Sequence, residues 1–348
     1  MSRFLQLHLL TSYPPANLNR DDLGRPKTAK MGGVDRLRVS SQSLKRTWRT
    51  SELFKEALEG HVGTRTKRLG SEVFKKLTAA GIPEKKAKEW AQKIASQFGK
   101  LKKEGDELEI EQLVHISPAE QAGIDDLTNK LIAEQRAPND DELNFLRKDD
   151  TAVDIAMFGR MLASKPEHNV EAACQVAHAI SVHGVVIEDD YFTAVDDLND
   201  HSEDAGAAHI GETGFAAGLF YSYICINREL LVENLGGNKA LADKAIRALT
   251  EAAVKVAPQG KQNSFGSRAY ASYVRAELGS QQPRSLSVAF LKPLGKNSED
   301  YAHEAVAALE KQAANFDEVY GPCVDSSYSL NAFAGAGKMT ELLDFAVQ

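Results

Sequence analysis

Cysteine is scarce in this sequence. Its 348 residues include three, Cys174, Cys225 and Cys323, with no C-x-x-C spacing. That excludes a disulfide framework and a four-cysteine zinc site, and points to a reducing, cytoplasmic compartment. Long apolar runs are absent as well. The apolar stretch at residues 4–10 falls far short of the ~20 residues a membrane span needs. It is interrupted by Gln6 and His8, which makes a poor secretory signal. No membrane association is expected. Glycine and proline number 25 and 11, too few for a collagen-like or low-complexity chain. Gly335-Ala336-Gly337-Lys338 lacks both the spacing and the following hydroxyl residue of a phosphate-binding loop, and no G-x-G-x-x-G follows a strand pattern. Internal repeats are missing. Neither a cofactor nor a metal is expected.

What is present suffices for a core: 43% of residues are apolar and 26% charged. The length suggests about two domains, or one with large insertions. Charge is distributed unevenly. The net charge is −7, yet residues 1–103 hold 23 Lys/Arg against 9 Asp/Glu, a net +14, while the remainder is net −21. Such asymmetry suggests a polyanion-binding face on an acidic body, or identical copies docking head to tail.

Residues 4–11 alternate, with Leu5, Leu7 and Leu9 on one face, a strand that Pro14 and Pro15 should end. Residues 17–33 combine turn formers and cations without a period and read as a loop. Residues 36–40 lead, extended, into a helix capped by Ser40 or Ser41 and stopped near Gly60. Two basic helical patterns between 64 and 103 break at 80–83, and Ser117-Pro118 opens another helix within 107–135. Alternation of Val153, Ile155 and Met157 predicts a strand, and Asn169 a cap for a helix over 170–183. Scattered glycines make 185–218 a hairpin-like excursion, followed by a strand at 219–227. Asn238 caps a helix ended by Pro258, residues 269–278 alternate, and Ser298 caps a last helix to about Asn315. Residues 285–293 fit strand or helix. Setting aside 60–150 and 185–218 leaves strand-helix-strand twice. The expected class is α+β, a split β-α-β fold of ferredoxin-like or RNA-recognition-motif-like type with insertions.

The helix after Ser40 carries the clearest physical signal. At 100° per residue, Leu44, Trp48, Phe54 and Leu58 share an arc of ~120° that should be buried. Gln42, Lys45 and Arg49 fall within ~60° on the opposite side, with Arg46 beside them. Cations so near a helix N-terminus oppose its dipole, and acidic residues are the stabilising choice there. An external anion resolves the conflict. Open N–H groups at Ser41, Gln42 and Ser43, serine hydroxyls and cations all donate to phosphate, and Arg20, Lys27, Arg36 and Arg38 extend the patch. Cations spread over a loop, a strand and a helix suit a polymer more than a nucleotide, and phosphate contacts read no sequence.

At these residues the chain resembles a known family. Leu18-Asn19-Arg20-Asp21-Asp22, Gly32-Gly33 and above all Arg38-Val39-Ser40-Ser41-Gln42-Ser43-Leu44-Lys45-Arg46 are similar to the CasC backbone subunit of the type I-E CRISPR Cascade complex. Gly159-Arg160-Met161, Ala177-His178-Ala179-Ile180, Phe192-Thr193-Ala194-Val195-Asp196-Asp197-Leu198, Ala208-His209-Ile210-Gly211, Asn234-Leu235-Gly236-Gly237 and Gly260-Lys261-Gln262 follow in consistent order to about residue 262.

The resemblance implies an RNA-recognition-motif-like palm (1–59, 151–184 and 219–348, the last with C-terminal helices), helical fingers (60–150) and a hairpin thumb (185–218). It implies several copies, head to tail, gripping one CRISPR RNA and presenting spacer bases to target DNA in antiviral defence, alongside other Cascade subunits and without nuclease activity. Carried over residue by residue, Asn19, Arg20, Lys27, Arg38, Ser40, Gln42, Ser43, Lys45, Arg46 and Arg49 stand where the family holds the guide backbone. Lys261 and Gln262 add contacts, and Met161 packs against bases near a kink. Tyr191, Phe192, His209 and Ile210 belong to the thumb that displaces a nucleotide. Such a grip suits a guide of variable sequence, whose phosphates and sugars are constant and whose base edges must stay free.

Blander readings of single residues stand beside these. Without the resemblance Met161 reads as core, and Tyr191 with Phe192 as packing. His178 and His183 are five apart, not the i, i+4 of a metal-binding helix. Asp21, Asp22 and Asp35 read as partners orienting Arg20 or Arg36. The alternative function is a metal-dependent RNase backbone subunit of a type III-like complex using Asp35 or Asp22, although phosphodiester cleavage needs several carboxylates around a metal and these are crowded by arginines.

Overall fold

The computed structural model describes residues 2–104, 107–146, 152–194, 209–295 and 298–348. The chain is α+β and divides into two compact units, one of residues 1–54, 176–225 and 247–348, the other of 55–175 and 226–246. The second is wider than the expected 60–150, since 151–175 and 226–246 cluster with the helical segment.

The chain begins with β1 (Phe4–Ala16), β2 (Thr28–Met31) and β3 (Val34–Val39), then α1 (Ser41–Arg49) and α2 (Glu52–Ala57). β1 runs on through Pro14 and Pro15, both exposed, because proline's fixed φ suits extended backbone and costs only a ladder donor. Its polar face is not solvated: Gln6 and His8 are 2% and 0% exposed. Tyr223 donates its hydroxyl proton to Gln6 Oε1 at 2.8 Å, and His8 Nδ1 lies 2.9 Å from Tyr221 Oη. The helix expected to reach Gly60 breaks at Thr50–Ser51. There Thr50 Oγ1 donates to the Arg46 carbonyl at 2.8 Å and Ser51 Oγ to that of Trp48 at 2.7 Å, side-chain competition that bends or ends helices.

Next come β4 (Thr64–Thr66), α3 (Leu69–Ala79), α4 (Glu84–Ala95), β5 (Val114–Ile116) and α5 (Pro118–Glu134). Ser117 caps α5 through a full capping box with Glu120, as its sequence announces. Their apolar faces, among them Leu77, Trp90, Ile94, Ile124 and Leu131, form the second unit's core.

The stretch 153–157 is α6 (Val153–Phe158), not a strand, with all five of those residues buried. A short segment buried on every side has no periodicity from which to choose. The helix expected over 170–183 is instead β6 (Cys174–Val176) and β7 (Ala179–Ser181), sheet pairing overriding an alanine-rich helix preference. Asn169 does not cap it; its Oδ1 accepts the Leu162 N–H at 2.6 Å.

β8 (Glu188–Ala194) and β9 (His209–Asn227) form the expected hairpin, followed by α7 (Arg228–Asn234) and α8 (Lys239–Lys255), which Asn238 caps. Then come α9 (Gln262–Phe265), β10 (Tyr273–Gly279), a 3-10 turn Ser287–Phe290 within the ambiguous stretch, α10 (Tyr301–Tyr320), β11 (Ser326–Asn331) and α11 (Met339–Ala346). Asp300, not Ser298, caps α10, which continues past Asn315. The main sheet runs β11-β10-β1-β9-β7-β3-β2, with β8 paired to β9 off that path. One of its faces packs Leu10, Val182, Leu219, Tyr221 and Tyr273 with Phe290 and Leu309.

Candidate nucleic-acid interface

Within the first unit the loop after β1 is built to hold α1. Lys27 N–H donates to the Asn19 carbonyl at 2.8 Å. Asn17 Nδ2 donates to the carbonyls of Gly24 and Gly214, both at 2.9 Å, and Asn19 Oδ1 accepts the Ser40 N–H at 2.9 Å. Asp21 Oδ1 accepts the N–H groups of Leu23 and Arg25, both at 2.9 Å. Asp21 therefore shapes the loop and does not orient Arg20.

Ser40 is the N-cap, its hydroxyl accepting the Ser43 N–H at 3.3 Å. Ser41 N–H donates to His178 Nδ1 at 3.2 Å. Two of the three N–H groups expected to be open are thus satisfied inside the chain, and Ser40 is buried. Burial, then Arg38 and Lys27, hold the His178 pKa below its ordinary value, so the ring stays neutral and can accept. Neither this histidine, which the sequence offers within the 177–180 motif, nor Asn17 is among the residues expected at the site. No local pattern marks His178, because only the β3–β7 pairing, Val39 opposite Ala179 and Arg38 opposite Ile180, brings it to the helix.

The cationic face itself forms. Arg20, Gln42 and Arg46 are exposed, and Lys27, Arg38, Ser43 and Lys45 half-buried. Arg20, Lys27 and Arg46 make no ion pair among the described residues. Arg38 Nη1 lies 3.3 Å from His178 Nδ1. Helix α1 has no acidic residue in its first turn, but because it ends at Arg49, Arg46 and Arg49 stand in its last turn, where the dipole favours cations; the conflict expected for them disappears with the shortened helix. Arg20, Asp21, Asp22, Ser43, Arg46 and Gly260 line a concavity of about 570 Å³. A Cβ on Gly260 would lie 2.3 Å from the Leu18 carbonyl oxygen, so a glycine is needed for the 259–262 loop to approach. Beyond it Lys261 takes a left-handed φ of 52°, and Gln262 Nε2 donates to the Pro258 carbonyl at 2.7 Å.

Two predicted cations are not available. Arg36 is 0% exposed and donates to the carbonyls of Met31 (3.2 Å), Ser181 (2.8 Å) and Phe290 (2.8 Å). It is an internal strut with no need of Asp35. Arg49 is 9% exposed. Periodicity places it on the face of Gln42 and Lys45, but says nothing of what other segments cover the helix end.

In the β8–β9 hairpin Tyr191 stands opposite Glu212 and Phe192 opposite Gly211. The two rings are 66% and 42% exposed, against the packing alternative. A Cβ on Gly211 would lie 2.4 Å from the Phe192 ring, so glycine lets the ring lie across the partner strand. Arg25 and Asp189 pair at 2.9 Å. The side chains of His209 and Ile210, and residues 195–208, lie outside the described residues. In the second unit Met161 is 82% exposed, which rules out a core role. It borders a cleft of about 300 Å³ with Lys100, Leu113 and Leu162.

Among the described residues no three His, Cys, Asp or Glu side chains are grouped to hold a metal ion. His183 is engaged locally, its Nε2 accepting the Leu219 N–H at 3.2 Å. No helix among them is long and apolar enough to cross a membrane. What the arrangement supplies is a set of unneutralised cations, hydroxyls and amides around a polar hollow, suited to phosphates and indifferent to base identity.

Comparisons with known proteins bear on the chain as a whole. Residues 5–342 match the model of a protein family described as CT1975-like protein. The fold is similar to a solved chain of a "CRISPR RNA-guided surveillance complex, pre-nicking", with 31% identity, a TM-score of 0.85 and 99% of each chain covered. It is also similar to a chain of a "CRISPR RNA-guided surveillance complex", with 26% identity, a TM-score of 0.74 and again 99% of each chain covered. No curated protein matches the sequence.

Proposed function

We propose, from the premise that this chain belongs to the CT1975-like protein family, that it is a CRISPR RNA-binding backbone subunit of a surveillance complex. The observation that carries the reading is the unneutralised face of Arg20, Lys27 and Arg46 around the loop after β1 and helix α1. The solved chains it resembles come from RNA-guided complexes, which makes a guide the natural polyanion.

The finer reading is a non-catalytic type I-E Cascade subunit, supported by the motif set around residues 38–46. Several copies line the guide head to tail with other Cascade subunits, in the cytoplasm, and leave spacer bases to pair with target DNA. The sheet path with β1 between β10 and β9 fits an RNA-recognition-motif-like palm, and the exposed Tyr191 and Phe192 fit a thumb that wedges between nucleotides. A wedge of this kind offsets unstacking with contacts worth ~1–3 kcal/mol per base.

Co-expression with operon partners and a CRISPR array tests this. Arg20→Ala with Arg46→Ala should reduce guide retention about equally for every spacer and flatten its salt dependence. Spacer-dependent losses would contradict a phosphate grip. Regularly spaced, Mg²⁺-dependent cuts in a labelled complementary RNA, lost in Asp35→Ala, would overturn the non-catalytic assignment.

A further inference from the structure

Arg20 and Gln259 also line a second hollow of about 770 Å³, shared with Lys261, Gln262, Arg268 and Tyr270. Arg268 is exposed and, like Arg20, makes no ion pair or side-chain hydrogen bond among the described residues. Tyr270 is 66% exposed, although Ala271 beside it is buried and the chain enters β10 at Tyr273. Gln262 Oε1 is buried without a partner. Lys261 holds the left-handed backbone noted above, a costly conformation outside glycine that concentrates at functional sites. Lys255, on the same wall, is neutralised by Glu251 at 2.6 Å, so the available charge is that of Arg20, Lys261 and Arg268. Packing gives no reason for an open ring, an unpaired guanidinium and a left-handed lysine around one concavity.

We propose that this hollow is a nucleotide subsite continuous, through Arg20, with the phosphate-binding face. Arg268 and Lys261 take a phosphate of the guide RNA, and Tyr270 stacks on the adjoining base. Stacking engages the face of a base and leaves its pairing edge open, as a guide requires. The inference rests on the RNA-backbone reading above and assigns it two further contact residues.

Binding of the full chain to a labelled single-stranded RNA of mixed sequence, titrated against salt, tests it. Tyr270→Ala should weaken binding about tenfold with little change in salt slope, and Tyr270→Phe should bind as the parent does. Arg268→Gln should lower the slope by about 0.7, the share of one phosphate contact on a single strand. If Arg20→Ala with Arg46→Ala weakens binding while Arg268→Gln and Tyr270→Ala do not, the subsite is overturned and the backbone reading stands. If the parent chain shows no salt-dependent RNA binding, both fall. Should Tyr270→Ala lower the thermal midpoint, the Arg268→Gln slope decides. Ultraviolet crosslinking of guide-loaded complex should join Tyr270 to RNA, and a crosslink formed only after target DNA is added would overturn the assignment to the guide.

Discussion

Many cations of the helical second unit reach carboxylates, whereas Arg20, Lys27 and Arg46 beside α1 in the first do not among the described residues. Lys76 pairs with Asp125, Lys88 with Glu107 (2.7 Å), Lys102 with Glu109, Lys130 with Glu142 (2.7 Å), and Arg136 with Glu134 and Glu142. Arg160 and Glu120 pair at 2.7 Å with side chains 1% and 0% exposed. Arg20, Lys27 and Arg46 have no such partner among the described residues. The excess of positive charge in residues 1–103 therefore merges two populations. Local carboxylates cancel much of the field of one. The other keeps its field, and the absence of partners marks a surface for phosphate better than the number of cations does. In the first unit's interior buried Glu277 receives His8, Arg275 and Arg284 together, while buried Arg36 is held by three carbonyls instead.

The comparison can be broken most severely at the buried pair. Glu120→Ala leaves the Arg160 charge uncompensated and should cost about 3–5 kcal/mol in urea unfolding; a loss below about 1 kcal/mol would show that Arg160 is solvated after all. Arg20→Ala with Arg46→Ala should do the reverse. Unfolding free energy should stay within about 0.5 kcal/mol, while RNA affinity drops roughly a hundredfold, at about 1.5 kcal/mol or more for each charged contact.

A pH series sharpens the interior half of the contrast. Burial is the largest influence on His8 and holds its pKa below the ordinary value, although Glu277 pulls the other way. The unfolded chain then takes up a proton near pH 6.5 that the folded chain refuses. Stability should be flat above about pH 7 and fall below about pH 6.5, by at most about 1.4 kcal/mol per pH unit for that group. Urea midpoints between pH 7.5 and 5.5 measure this, and a flat profile would mean that His8 charges inside the fold. Glu277, held well below the usual carboxylate range, contributes stability that is present above about pH 4.5 and is lost as acid protonates it. The smallest effect belongs to an exposed pair. Lys76→Ala should change unfolding free energy by under about 0.5 kcal/mol and leave RNA affinity within about twofold, as gel-shift titration would show.

Legibility in the sequence followed locality. The capping box at Ser117 and Glu120, the Ser40 cap and the Asn238 cap depend on neighbours a few positions apart, and all could be read. So could the buried stripe of Leu44, Trp48, Phe54 and Leu58, although the helix carrying it is interrupted at Thr50–Ser51. The 153–157 segment misled because it is buried at every position, and 170–183 because its local helix preference runs contrary to the sheet pairing that β6 and β7 make. Met161 looked like core because a methionine's type says nothing of its exposure. Arg36 and Arg49 look like surface cations, and only distant backbone or covering segments remove them from water.

By itself the sequence determined which residue types cluster: cations along one face of an amphipathic helix, motifs in family order, caps and turns. These follow from periodicity and short-range hydrogen bonding, which need no knowledge of the rest of the chain. Tertiary structure alone decided which of those cations keep their charge available. It sealed Arg36 against three carbonyls, set His178 on the Ser41 N–H, and brought Gly260 and its neighbours to the wall beside Arg20. Neutralisation depends on what stands within a few ångströms, and in a folded chain those neighbours come from far along the sequence.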